Sequence, residues 1–359
     1  MLIRWLGSSE RDAVERIWTD LESELDPGAL ANSWDWTGTW LRHYGDVVSH
    51  DFAVADADGA PCGIALVTRG VGRRRGPFRV RTVHLGTAGE PAGEGVFVEY
   101  NRLLVRDSWR DAFATALVKE LHRDANWHEF TLDGFAPEEA EAMLRAEPQL
   151  SPRTELCPVT ELDRVEPEAG VIGLLSSGTR RKVRRSFEAL GEVTTEWSET
   201  PEHALDMLAE LIELHQARWT GSGEPGAFAS PRFVAFHRDL IAKLLPRNAA
   251  FLFRVRSGDR TVGCLYHLVD RGRPLFYQSG LASFEDRRIA PGFVAFSLCM
   301  QACYERGFQE YDFLAGDSRY KRDLATGERR LVWATATRPA LRWRAMDLMA
   351  ALRTRLRHG

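Results

Sequence analysis

Residues 251–269 read FLFRVRSGDRTVGCLYHLV, which is the pattern of a β-hairpin. Two runs rich in apolar and β-branched residues are separated by a Ser-Gly-Asp-Arg turn, the usual arrangement of paired antiparallel strands. Residues 52–67, FAVADADGAPCGIALV, repeat this arrangement around an Asp-Gly turn. Each second strand contains a glycine, Gly63 or Gly263. The two segments therefore predict equivalent hairpins in the two halves of the chain.

Each hairpin is followed by a predicted helix and a predicted strand. In the first half these are AFATALVKELHR and WHEFTLDG, and in the second they are GFVAFSLCMQACYERG and FQEYDFLAG. The repeat is too long for a solenoid and predicts two tandem copies of one α/β (α+β) domain, each a mixed, mainly antiparallel sheet flanked by helices. We place the copies at 1–155 and 156–338, with a helix and polar tail at 339–359.

Composition and charge indicate a globular cytoplasmic protein. The chain has 359 residues, 44% of them hydrophobic, and a net charge of −4, which argues against a DNA-binding face. It contains no apolar run long enough to span a membrane. The N-terminal residues MLIRWLGSSERDAVERIW are charged where a signal peptide needs an apolar core. Five cysteines without a CxxC motif indicate reduced, mostly buried thiols and no metal site.

Only the second copy ends in a polar cluster, DFLAGDSRYK, at residues 312–321. A carboxylate at a strand end, followed by a tyrosine and a lysine, is a candidate active site. The alternative interpretation is that Asp312 and Lys321 form a buried ion pair that closes the strand. Because the first copy has Thr131 where the second has Asp312, the first half is predicted to be largely scaffold.

Two basic segments are candidate anion sites. Residues 287–293, RRIAPGF, predict a turn that enters a helix through a proline, where free backbone N–H groups meet the positive end of the helix dipole. Residues 179–185, TRRKVRR, lie on a predicted amphipathic helix with Ser177 as N-cap and Gly191 as its end. Arg180 and Arg184 are one turn apart and are candidate phosphate contacts, although a solvated helix face is an equal alternative.

The segment HQARW at 215–219 follows an apolar helix face and precedes GSGEPG at 221–226. The latter matches GxGxxG but follows a helix rather than a strand, so it is interpreted as a loop over a substrate rather than a nucleotide site. His215 is a candidate base, with a packed core histidine as the alternative. Arg218, Trp219, Tyr277 and Gln278 are candidate substrate-binding residues.

Taken together, LSSGTRRKVRRS, HQARW and APGFVAFSLCMQACYERGFQEYDFLAGDSRYKRDL resemble the GNAT-fold acetyltransferase family associated with cellulose biosynthesis. That family is in turn similar to the Fem-type peptidyltransferases. The resemblance covers roughly residues 155–335, and it implies a pair of GNAT domains. It also places Arg287, Ala290, Gly292 and Phe293 in the turn that binds coenzyme A in GNAT enzymes, with alanine replacing the first glycine.

The resemblance implies an acyltransferase in which Lys321 stabilises the tetrahedral intermediate. Asp312 would orient the acceptor amine or take its proton, and Asp317 and Tyr320 would shape the acceptor pocket. The predicted reaction moves an acyl group, acetyl first, from acyl-CoA to an amine of a small molecule or sugar. Two alternatives stay open: a Fem-like transferase that uses aminoacyl-tRNA, and a catalytically inactive GNAT pair that only binds. The acceptor and the oligomeric state are not predicted.

Overall fold

The computed structural model of the chain describes residues 1–25, 28–70, 73–75 and 78–339. The predicted C-terminal helix, with Leu341, Met346 and Leu348, lies outside the described residues. None of the helices that the structure describes is long and apolar enough to cross a membrane. All five cysteines are buried and free, as predicted.

The first half begins with a short strand and two helices and continues with alternating strands and helices. Its elements are β1 (Ile3–Leu6), α1 (Arg11–Leu25), α2 (Trp34–Tyr44), β2 (Ser49–Ala57), β3 (Ala60–Arg69), β4 (Arg73–Arg75), β5 (Phe78–Val80), β6 (Thr82–Leu85), β7 (Leu104–Val105), α3 (Arg110–Arg123), β8 (Glu129–Phe135), α4 (Pro137–Ala146) and β9 (Ser151–Glu161).

The second half has a similar order of elements after two added helices. Its elements are α5 (Gly170–Leu174), α6 (Ser177–Leu190), β10 (Thr194–Trp197), α7 (Pro201–Gly221), α8 (Pro231–Leu244), β11 (Ala250–Ser257), β12 (Arg260–Asp270), β13 (Arg273–Leu281), α9 (Pro291–Glu305), β14 (Glu310–Asp312), α10 (Arg319–Leu324) and β15 (Gly327–Thr337).

The predicted hairpins are confirmed as β2–β3 and β11–β12, and they match in detail. Gly63 pairs with Ala55 and Gly263 pairs with Val255, and in each hairpin the register shifts next to the glycine, at an extra residue in β3 and in β12. In each half the hairpin is followed by an antiparallel strand and then by a parallel one, β6 with β8 and β13 with β14. The two halves therefore share one strand topology.

The halves exchange their last strands. In the order β1-β2-β3-β6-β8-β15-β9-β14-β13-β12-β11-β10, β15 from the end of the described chain pairs with β8 of the first half. Conversely, β9 at the end of the first half pairs with β14 of the second. Because β9 and β15 also pair with each other, both halves form one continuous sheet. The proposed boundary between residues 155 and 156 falls inside β9.

Helices cover both faces of this sheet. On one face α1, α2, α7 and α8 pack into a single apolar cluster that joins both halves. On the other face α3 and α4 cover the first half, and α5, α6 and α9 cover the second. The predicted fold class, a mostly antiparallel α/β sheet flanked by helices, is confirmed. In the middle of the sheet, the end of β14 lies beside the loop that follows β6.

Candidate active site

The end of β14 is held by a set of buried polar contacts, which we call the strand-end cluster: Glu99, Tyr100, Arg273, Asp312 and Lys321. Asp312 has no solvent exposure. Its Oδ1 accepts a hydrogen bond from the N–H of Leu314 at 2.7 Å, and its Oδ2 accepts one from the hydroxyl of Tyr100. Burial raises the pKa of Asp312 to about 6, although Arg273 and these hydrogen bonds oppose the rise.

Arg273 contacts both Tyr100 and Asp312 in the cluster. Its guanidinium carbon lies 4.1 Å from the centre of the Tyr100 ring, and its Nε lies 3.8 Å from Oδ2 of Asp312. Burial, followed by the charge of Asp312, raises the pKa of Tyr100 well above its usual value. The tyrosine therefore stays protonated and donates to Asp312. A cation above an aromatic ring stabilises this arrangement further.

Lys321 holds the turn that follows β14. Its Nζ donates to the carbonyl oxygens of Leu314 at 3.2 Å and Ala315 at 2.8 Å. Leu314 has a positive φ of 59°, a conformation that costs free energy in a non-glycine residue, so the turn needs such contacts. Burial lowers the pKa of Lys321, while the nearby charges of Glu99 and Asp312 oppose the change. Lys321 and Asp312 do not form the direct ion pair considered from the sequence.

A second site lies on the other side of α10. A cavity of about 580 Å³ is lined by Ser176, Gly178, Thr179, Lys182, Phe293, Arg319, Tyr320 and Asp323. We call it the α6–α10 cavity. Lys182 lies over the ring of Phe293 at 3.8 Å, and Tyr320 stacks on Phe296. Two cations, hydroxyl groups and an aromatic wall suit a phosphate-bearing ligand with an apolar portion. Because Tyr320 and Lys321 are adjacent, α10 joins the cavity to the strand-end cluster.

The turn before α9 differs from the expectation that its backbone N–H groups are free. The N–H of Ala290 donates to Oγ of Ser186 at 3.0 Å. Those of Arg288 and Ile289 donate to Asp286. Pro291 has no N–H, whereas that of Gly292 has no acceptor among the described residues. The expectation is therefore wrong for Ala290, since Ser186 of α6 already accepts its hydrogen, and a phosphate here would depend mainly on side chains.

The segment after His215 forms its own aromatic cluster. His215 is buried, packs edge-on against Phe228 and lies 5.8 Å from the Trp219 ring. Burial lowers the pKa of His215, so the imidazole is neutral at pH 7. Trp219 is 42% exposed, and Gln216 donates to the carbonyl of Pro225, which ties the 221–226 loop to α7.

The remaining predicted site residues are scattered. Tyr277 is half-buried and donates to the carbonyl of Val96, and the neighbouring Gln278 pairs with β12. Asp317 is exposed and pairs with Arg322. The predicted phosphate contacts also lie apart: Arg180 donates to the carbonyl of Gly173, and Arg184 and Arg287 are exposed.

The bounds of α6 differ from the prediction at one end. The N-cap is Ser176 rather than Ser177, since the Ser176 hydroxyl accepts a hydrogen bond from the N–H of Thr179, whereas Gly191 ends the helix as predicted.

Glu99 and Tyr100 were not predicted from the sequence, which indicated that their half is largely scaffold. Both reach the cluster from the first half: Oε2 of Glu99 accepts the N–H of Ala315 at 2.8 Å. The available signal was the pair Glu99-Tyr100, which follows the glycine-rich stretch GTAGEPAGEG at 86–95 after three apolar residues. Lys182 and Arg319 were also missed because each lay among several other bases.

Among the described residues, no group of three or more His, Cys, Asp or Glu side chains could hold a metal ion.

Comparisons with known proteins found one matching family model and several solved structures of similar fold. A family model described as "Acetyltransferase (GNAT) domain" matches residues 176–322. The structure is similar to FemX, with a TM-score of 0.55 and 12% identity over 92% of this chain and 96% of that one.

Two further solved structures are similar over nearly the whole chain. One is the C-terminal domain of a putative lysylphosphatidylglycerol synthetase from Agrobacterium fabrum, with a TM-score of 0.53, 14% identity, and 96% of each chain covered. The other is L-PGS from Bacillus licheniformis, with a TM-score of 0.52, 14% identity, and coverage of 94% of this chain and 96% of that one. No curated protein sequence matches the chain. Residues 176–322 therefore match a GNAT acetyltransferase domain, within a fold similar to that of FemX.

Proposed function

We propose that this protein is a cytoplasmic N-acyltransferase that moves an acyl group, acetyl first, from acyl-CoA to the amine of a small molecule or sugar. The observation that carries the proposal is the GNAT acetyltransferase match, because its range contains α6, α9, Asp312 and Lys321. The α6–α10 cavity would receive the donor, with Lys182 and Arg319 as phosphate contacts. The acceptor would meet it at the strand-end cluster. The association with cellulose biosynthesis is part of this proposal, and it guides the choice of acceptors to be tested.

The chemistry follows from charge development during acyl transfer. When an amine attacks the thioester carbonyl, negative charge builds on the carbonyl oxygen, and a fixed cation stabilises it. Lys321 is the cation of the cluster that contacts the turn after β14, and its position is set by two backbone carbonyls. Asp312 is fully buried with both oxygens engaged, so its proposed role is to position Tyr100 and the turn rather than to contact the amine.

One observation favours a second donor. The occupied N–H groups at 288–290 weaken the backbone pyrophosphate site expected for coenzyme A, so aminoacyl-tRNA, the donor in Fem-type enzymes, is the second candidate. Its phosphates and terminal adenosine would also meet Lys182, Arg319 and the aromatic wall.

The two donors separate in a direct experiment. Purified protein is incubated with acetyl-CoA and a panel containing an amino sugar, an amino acid and a polyamine, and release of free thiol and product mass are followed. In parallel, binding of charged tRNA is measured at rising salt, where phosphate contacts predict a steep loss of affinity. Acetylated product supports acyl-CoA, whereas product formed only with charged tRNA supports the second candidate. Absence of turnover with both donors contradicts the proposed function.

A further inference from the structure

Glu99 and Asp312 are the two carboxylates of the strand-end cluster, and Glu99 is the one with an oxygen that makes no hydrogen bond with the described residues. Its Oε2 accepts the N–H of Ala315, whereas Oε1 makes no hydrogen bond with the described residues. Its side chain is partly exposed, unlike that of Asp312. Of these two carboxylates, Glu99 is therefore the one that can receive a proton from a bound molecule.

The loop that carries Glu99 is anchored at several points. On the α2 side, Trp36 donates to Oγ1 of Thr87 at 2.6 Å, and Trp40 donates to Oε1 of Glu90 at 2.6 Å. The hydroxyl of Tyr277 on β13 donates to the carbonyl of Val96 at 2.5 Å.

Immediately after Glu99 the chain is fixed again. The Tyr100 hydroxyl contacts Asp312, and the side chain of the buried Asn101 donates to the carbonyl of Leu85 at 2.8 Å. A carboxylate held between such anchors has a fixed position, as a proton acceptor requires.

The surroundings of Glu99 suit proton transfer near neutral pH. It lines a narrow crevice of about 10 Å³ between the halves, which has room for one group the size of a water molecule or an amine. Its other walls include the apolar Phe97, Leu275 and Leu314. Burial raises the pKa of Glu99 to about 7, and Asp312 adds to the rise, while the N–H of Ala315 and the charge of Lys321 oppose it.

The charged and titratable groups that interact electrostatically with Glu99 come from four elements. They are Asp312 on β14, Lys321 on α10, Cys157 on β9 and Tyr277 on β13. Burial raises the pKa values of the thiol and the phenol far above neutrality, so neither titrates near pH 7.

We propose that Glu99, supplied by the first half of the chain, is the general base of the acyl transfer, which makes the active site a joint product of both halves. This inference rests on the proposed function. The amine nitrogen forms a bond to the acyl carbon and loses a proton to Oε1 of Glu99. The carbon–sulfur bond of the thioester breaks, or the carbon–oxygen bond of an ester donor, and the leaving group departs with the electron pair of that bond and is protonated by solvent.

The test compares Glu99→Gln, Glu99→Ala and a control, Glu328→Gln, which makes the same chemical change at an exposed site. With the donor and the best acceptor of the panel, Glu99→Gln should lower kcat/KM by about 100-fold or more, the usual contribution of a general base. The acidic limb of the wild-type pH–rate profile should disappear. Formate should restore part of the rate of Glu99→Ala by replacing the lost carboxylate, whereas it should leave the control unchanged.

The possible outcomes distinguish a failure of this inference from a failure of the proposed function on which it rests. A wild-type enzyme that turns over, together with a Glu99→Gln variant within about threefold of it and with the same acidic limb, would overturn the role of Glu99 and leave the acyltransferase intact. A lower melting temperature with unchanged kcat/KM would show that Glu99 only holds the turn. A wild type inactive with both donors would overturn the proposed function, and this inference with it.

Discussion

At the scale of single residues, one substitution of Lys321 removes an observed role and a proposed one together. Lys321 holds the turn containing the positive φ of Leu314, and we propose that it also supplies the cation for the developing oxyanion. Lys321→Ala should lower kcat by about 10²–10³-fold, the usual loss for one oxyanion donor. Lys321→Arg should recover little, because a guanidinium does not fit a site shaped for a point charge. Steady-state rates beside thermal unfolding separate the tasks: normal kcat with a lower melting temperature would make Lys321 purely structural.

Glu99 also predicts a pH dependence of stability. Its pKa rises from 4.5 to about 7 on folding, so between these values the folded state binds the proton more tightly than the unfolded chain. The free energy of unfolding therefore falls as pH rises through this window. The side chain of the Glu99→Gln variant is uncharged at both pH values, so the variant should be more stable than wild type at pH 8 by on the order of 2–3 kcal/mol, with little difference near pH 4.5. Urea titrations at both pH values test this, and Glu328→Gln should show no such change.

At the scale of elements, local sequence signals predicted most of the structure. The hairpins followed from their turn residues and alternating side chains, since Asp58 and Gly59 both adopt positive φ in the first turn. Helix α9 and strand β14 followed from length and periodicity. In the site, Asp312 and Lys321 were recognisable because they lie close together in one segment. Glu99 and Tyr100 were not, because their contacts with residues 312–315 span more than 200 positions, and no local pattern encodes such a contact.

Packing between elements yields a further prediction at Gly280 on β13. A Cβ at this position would lie 2.3 Å from the carbonyl oxygen of Leu211 in α7, which is backbone and cannot rotate away. Gly280→Ala should therefore destabilise the protein by about 1–3 kcal/mol, the usual cost of overpacking. The control is Gly178→Ala in α6, where the nearest atom is 3.9 Å away and alanine is the better helix former. Chemical denaturation should show opposite signs; a neutral Gly280→Ala would mean that α7 moves freely on the sheet.

At the scale of the whole molecule, the duplicated halves are joined by the exchange of their last strands. The sequence predicted the duplication but not the exchange, because β9 and β15 carry no signal that identifies their partners. This exchange also explains why the strand-end cluster lies between the halves. With β9 and β15 side by side, the first-half loop after β6 reaches the turn that follows β14, so both halves contribute residues to the cluster.

The exchange predicts that neither half folds alone. A fragment of residues 1–155 lacks β15, and it keeps only part of β9, which pairs with β15 in the full chain. It would expose the unpaired edge of β8 and the apolar face that α2 shares with α8. The separate fragments should therefore lack cooperative thermal unfolding, whereas the full chain should unfold in one transition with equal calorimetric and van't Hoff enthalpies. Mixing the fragments should restore part of the transition, since the pairings are then available again. Two resolved transitions in the full chain, or a cooperatively folded fragment, would show that the halves are independent and that the exchanged strands contribute little to their stability.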